Sequence, residues 1–162
     1  MRYLTPFRIA AALLVIFCAF HTAGGMLSHA SFGPESDAVV RAMKSVRVDF
    51  NGSIGTWYGF WLGLGLIVSV FLLFSAIAAW QLDRIDPATW PAVSPLAWVF
   101  AASHAATAAL TWRYFFAGAG ITATLVTLFL VLGAWRKQRA AALAAGTPGP
   151  GTRAGAREYA RP

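Results

Sequence analysis

A chain of 162 residues that is 58% hydrophobic and only 12% charged has about half the charge of an ordinary soluble domain. Its apolar residues gather in four long blocks, which excludes a water-soluble core and makes the bilayer the medium for which the chain is built. The net charge of +7 does not signal nucleic acid, because the basic residues lie between the blocks or in the tail rather than on a soluble face.

The first apolar block spans about residues 7–28. Arg2 and Arg8, the apolar run and Ser28-His29-Ala30 also resemble a secretory leader with a small-residue cleavage site. The run is about 20 residues, longer than the about 7–15 of a leader's apolar region, which favours a retained span. Cleavage would leave three spans and remove His21.

The loop that follows, from Ser31 to Ser53, has a helical pattern of its own over about residues 36–50. Ser36 or Asp37 can cap its start. Val39, Val40, Met43, Val46 and Phe50 then form one apolar stripe, while Arg41, Lys44 and Asp49 point elsewhere. An amphipathic helix lying on the outer membrane face and a small cap packed over the ends of the spans both fit that periodicity.

The remaining spans are expected at about 55–82, 93–111 and 114–135. Each reaches roughly the 20 residues that cross a bilayer as a helix, and lipid leaves no other way to satisfy the backbone of such Gly-rich apolar stretches. The loop from Asp83 to Pro91 and the turn around Trp112-Arg113 are short, which makes consecutive helices antiparallel neighbours. Trp57, Tyr58, Trp61, Trp90, Trp112, Tyr114 and Trp135 fall near span ends, as interfacial aromatics do. Residues 1–137 thus read as the transmembrane domain and 138–162 as a disordered basic tail, rich in Gly, Pro and Arg beyond Ala145.

Basic residues set the expected orientation. Arg2 and Arg8 precede the first span, and Arg136, Lys137, Arg139, Arg153, Arg157 and Arg161 follow the fourth. Both ends are expected in the cytoplasm, an arrangement that an even span count permits. Arg41, Lys44 and Arg47 in the first loop oppose the bias.

Close helix approach in lipid depends on small residues. Gly55, Gly59 and Gly63, with Gly65 beside them, recur on the second span, Ala97, Ala101, Ala105 and Ala109 on the third, and Ala19 and Ala23 on the first. These stripes predict packing within the chain, with self-association or contact with other membrane subunits through Gly55, Gly59 and Gly63 as the alternative.

The polar residues inside the spans are the candidates for chemistry. Cys18, His21, Thr22, Gly25, Ser28 and His29 share one face of the first span, and His104, Thr107 and Thr111 one face of the third. His21 and His104 fall at similar depth. Paired histidines can ligate a haem b, and Cys18 with His21 and His104 is a weaker metal set without a clear further ligand. A lipid-like ligand such as a quinone can bind with His104, Tyr58 or Arg113 at its mouth, His21 and Thr107 completing the candidate ligand-binding set. Alternatively, His21 and His104 simply fasten neighbouring helices by hydrogen bonds. A Gly-rich phosphate loop, HExxH, GxSxG and CxxC are all missing, and no acidic pair of the kind that carries ions through transporters lies in a span.

The run VVRAMKSVRVDFNGSIGTWYGFWLGLGLIVSVFLLFSAIAAWQL, with HTAGG ending the first span and WRYFF before the fourth, resembles a group of small uncharacterised bacterial four-span membrane proteins. In architecture it is loosely similar to the DoxX-like four-helix proteins. The resemblance covers most of the chain outside the tail and implies a bacterial inner-membrane location, without supplying a catalytic residue. The sequence therefore predicts an all-α, up-and-down four-helix transmembrane bundle with an amphipathic helix in its first loop. It predicts a non-enzymatic accessory or interaction subunit with a lipid-like ligand in the outer half, or alternatively a haem-binding redox component.

Overall fold

The computed structural model describes residues 4–28 and 31–146. Helix α1 (Pro6–Phe20) continues as a π-helix over His21–Met26 and is followed by α2 (Pro34–Ser45). Strands β1 (Arg47–Phe50) and β2 (Ser53–Thr56) come next, then α3 (Trp57–Arg84), α4 (Trp90–Tyr114) and α5 (Ala117–Gly146). Among the described residues, four helical stretches, Pro6–Met26, Trp57–Arg84, Trp90–Tyr114 and Ala117–Gly146, are long and apolar enough to cross a membrane. The chain is a multi-pass membrane protein of the all-α class.

It divides into two compact units, one comprising Met1–Ala10 with Ala79–Pro162 and the other Ala11–Ala78. In the first, α4 and α5 are joined only by Phe115 and Phe116, so they pair as an antiparallel helical hairpin. Gly120 receives the Trp112 ring, and the Trp112 indole donates to Thr124 Oγ1 at 2.9 Å. Near the start of α1, Phe7 lies against Gly133 of α5 and 6.1 Å from the Trp90 ring; Phe7, Trp90 and Leu130 are wholly buried. Thr5 caps α1, its hydroxyl accepting the Arg8 amide at 3.4 Å.

In the second unit α1 and α3 meet at Gly65, where a Cβ would fall 1.8 Å from Met26 Sδ. The π turn makes that contact possible. The Leu27 amide donates to the Thr22 carbonyl, five residues back, at 2.9 Å, and the wider turn carries Met26 onto the face already occupied by Cys18 and Thr22.

Several expected boundaries move. The amphipathic segment does not run through 36–50. Its helix starts earlier, at Pro34 after Gly33 (φ +105°), and ends at Ser45, and Arg47–Phe50 pairs antiparallel with Ser53–Thr56, Arg47 opposite Thr56. Asn51 (φ +54°) and Gly52 (φ +88°) form the turn, as an Asn-Gly pair between strands favours. Gly55 therefore lies in β2 and not in a span. Gly63 has open space at its Cβ position, so the tight glycine of α3 is Gly65 rather than the Gly55–Gly59–Gly63 series. On α4 the buried small residues are Ala97, Ala101 and Ala108, while Ala105 and Ala109 are exposed, because a strict four-residue step drifts off a face that repeats every 3.6 residues. Ala19 and Ala23 are exposed as well, and α1 instead buries Phe7, Ala10, Ala11 and Leu14. The third span extends through Tyr114, so Trp112-Arg113 is helical rather than a turn. The fourth continues to Gly146, which makes residues 138–146 helix rather than tail. Arg2, His29 and residues 147–162, with Arg153, Arg157 and Arg161, lie outside the described residues.

Candidate functional site

The candidate residues fall in both units. In the second, α1 presents Cys18, His21 and Thr22 to α3. The carbonyl of Gly65 can only accept, so its 3.0 Å contact with His21 Nε2 places the proton on that nitrogen. Ser69 Oγ reaches the same carbonyl at 3.3 Å. The Thr22 hydroxyl lies 2.8 Å from both Ser69 Oγ and the Cys18 carbonyl, and Cys18 Sγ donates to the Ser69 carbonyl at 3.3 Å. Cys18, His21 and Thr22 are thus each engaged with α3. Such interhelical bonds hold spans together because the bilayer offers no competing water. The sequence indicated Cys18, His21 and Thr22; it gave no reason to select Gly65 and Ser69 as their partners.

This geometry bears on the haem and metal readings. With Nε2 donating to Gly65, the lone pair of His21 resides on Nδ1, beside Gly25, whose Cβ position lies 3.9 Å away. Ligation through Nε2 would require the Gly65 bond to break and the tautomer to change. Among the described residues, no group of three or more His, Cys, Asp and Glu side chains could hold a metal ion. Tyr58, on α3, lies under Lys44 of α2, whose Nζ is 4.6 Å from the ring centroid, and 5.6 Å from the Trp61 ring.

In the first unit, His104 stands edge-on to Phe100, ring centroids 4.8 Å apart. Exposed Thr107 bonds back to the Ser103 carbonyl of its own helix at 3.0 Å, and the Arg113 guanidinium lies over Tyr114 at 5.2 Å. Neither Thr107 nor Arg113 is held towards a shared centre by these contacts.

A polar cluster that sequence reading did not single out lies where α3 ends. The Asp83 carboxylate, 5% exposed, accepts from Arg8 Nε at 2.6 Å and from the Thr5 hydroxyl at 2.5 Å. The Arg8 guanidinium also lies 5.3 Å from the Trp80 ring centroid. Lys137 Nζ donates to the carbonyls of Asp83 and Ile85 at 2.7 and 2.5 Å, and the Trp90 indole donates to Gln138 Oε1 at 3.3 Å. A cation at the last carbonyls of a helix satisfies groups that have no intrahelical partner and opposes the negative end of the helix dipole. Beside this clamp, Gln81, Arg84, Ile85, Asp86 and Thr89 line an open cavity of about 310 Å3. The only hint in the sequence was the density of charge around 83–86.

No family model matches the chain, and neither does any characterised protein or solved structure with which it was compared.

Proposed function

We propose that the chain is a subunit of a bacterial inner membrane, with both ends in the cytoplasm, that works by association with other membrane components rather than by chemistry of its own. The observation that carries this reading is the use made of the polar side chains in the spans. His21, Cys18 and Thr22 are bonded to the Gly65–Ser69 stretch of α3, which is a fastening role. At the same time α3 exposes large side chains along its length, Leu64, Ile67, Val70, Phe71, Phe74 and Ile77 among them, a surface suited to lipid and to neighbouring spans. The basic residues at the ends of α1 and α5 support the orientation, and the resemblance to small bacterial four-span proteins supports the location.

Purification in a mild detergent from the native membrane, followed by identification of co-purifying proteins and an absorbance spectrum, tests this reading. A stoichiometric membrane partner and a colourless preparation are expected. A chain that elutes without a protein partner overturns the accessory role. A haem spectrum lost in His21→Ala would replace it with the redox alternative.

A further inference from the structure

The cavity at the α3–α4 turn differs from the adjacent clamp in the state of its charges. Arg8 and Lys137 are satisfied by Asp83 and by the backbone. Arg84 and Asp86 line the cavity, and neither side chain has an ion-pair or hydrogen-bond partner among the described residues, where Arg8–Asp83 is the sole salt bridge. Both are exposed. The turn lies between two membrane spans, after the last residue of Trp57–Arg84 and before the first of Trp90–Tyr114, which is the depth of lipid headgroups. Trp80, 47% exposed, lies on the preceding turn of α3, offering apolar surface for the start of an acyl chain and an indole of the kind that settles at the interface.

We propose that this cavity binds the headgroup of a zwitterionic phospholipid, a phosphodiester carrying a primary ammonium as in phosphatidylethanolamine. The Arg84 guanidinium takes the phosphate in the planar, two-pronged geometry suited to it, the Gln81 amide and Thr89 hydroxyl add neutral hydrogen bonds, and the Asp86 carboxylate takes the ammonium. A purely anionic headgroup would satisfy Arg84 but face repulsion from Asp86, and a soluble cation would leave Arg84 unmatched. The clamp has a part in this site. With Lys137 holding the carbonyls of Asp83 and Ile85, the backbone on either side of Arg84 is fixed before any lipid arrives.

The test is lipid retention by the full chain in nanodiscs containing equal phosphatidylethanolamine and phosphatidylglycerol, read by native mass spectrometry after transfer to detergent. The wild type should retain phosphatidylethanolamine preferentially. Arg84→Gln should reduce that retention by about threefold, the scale of one partly exposed ion pair, and Asp86→Asn should shift preference towards phosphatidylglycerol, while Arg41→Gln on α2 should leave it unchanged. These substitutions replace exposed side chains, and monodispersity on size exclusion confirms folding. Equal retention of the two lipids by the wild type, or an unchanged preference in both Arg84→Gln and Asp86→Asn, overturns the proposal. Displacement of the lipid by equimolar soluble glycerophosphoethanolamine overturns the lipid assignment and makes the free headgroup the ligand.

Discussion

Gly63, Gly65 and Gly133 occupy apolar helices of similar composition, yet their neighbours make them unequal. A Cβ at Gly133 would lie 2.8–2.9 Å from Phe7 ring atoms, and Phe7 is buried against Trp90, so neither side can yield. Gly133→Ala should cost about 1–3 kcal/mol, the usual penalty for overpacking, seen as a lower midpoint of thermal unfolding in detergent. Gly63→Ala should be neutral within about 0.5 kcal/mol, since nothing lies within 4 Å of its Cβ position; an equal loss for both would refute the packing account. Gly65→Ala should fall between them, because the obstructing atom belongs to flexible Met26, and Met26→Ala should relieve it. Glycine spacing could mark α3 as a close-packing helix but could not tell Gly63 from Gly65, because the residue opposite each is decided by a different segment of chain. The same limit hid Asp83. It looked like an ordinary turn residue, and its partner Arg8 lies far away in sequence.

At the scale of the element, the α3–α4 connection depends on Lys137. Lys137→Met keeps the aliphatic stem and removes the ammonium, leaving the Asp83 and Ile85 carbonyls short of a donor. The loss should be about 1–3 kcal/mol, and hydrogen–deuterium exchange should quicken in residues 81–90 while the middle of α3 stays protected. Uniform exchange along α3 would mean that Lys137 does not cap it. The hairpin before α3 is a second self-contained case. Gly52 sits at φ +88°, where a Cβ is strained, and Gly52→Ala should loosen the β1–β2 turn. Because Phe50 of β1 packs on Trp57 and Phe60 at 5.6 and 5.3 Å, the local change is readable as a red shift in tryptophan emission, whereas Asn51→Gly should leave emission unaltered. Here the sequence held more than the apolar stripe conveyed. Val39 to Phe50 can be placed on one helical face, but Asn51-Gly52 immediately after Phe50 is a strong hairpin signal, and the strand pairing it directs overrides the helical period beyond Ser45.

For the whole molecule, the four spans were legible because hydropathy is summed along a helix and needs no knowledge of neighbours. Their ends were less so. Charged residues that interrupt the apolar run, such as Arg136 and Arg139, continue α5 into its last turns, Arg139 lying over the Trp135 ring at 4.0 Å. Thirty residues of helix measure about 45 Å, well beyond the about 30 Å of hydrocarbon, so basic side chains there stand in water without ending the helix. If both ends are cytoplasmic as proposed, a reporter active only in the periplasm should be silent when fused after Gly146 and active when inserted at Asn51. The opposite pattern would invert the orientation.

The π turn at His21–Met26 carries a consequence for how this chain tolerates insertion and deletion. A π turn holds one residue more than the α turn it replaces. Removing a single residue from Ala23-Gly24-Gly25 would let the segment close as an ordinary α turn, so Met26 would stay on the face that meets Gly65, whereas adding one would turn it away by about 100°. Everything upstream, including the His21 and Thr22 bonds, would keep its phase. The first span therefore tolerates the loss of one residue at this turn but not the gain of one, and among related chains a one-residue gap there should still be accompanied by a small residue in place of Gly65, whereas an insertion should free that position to enlarge.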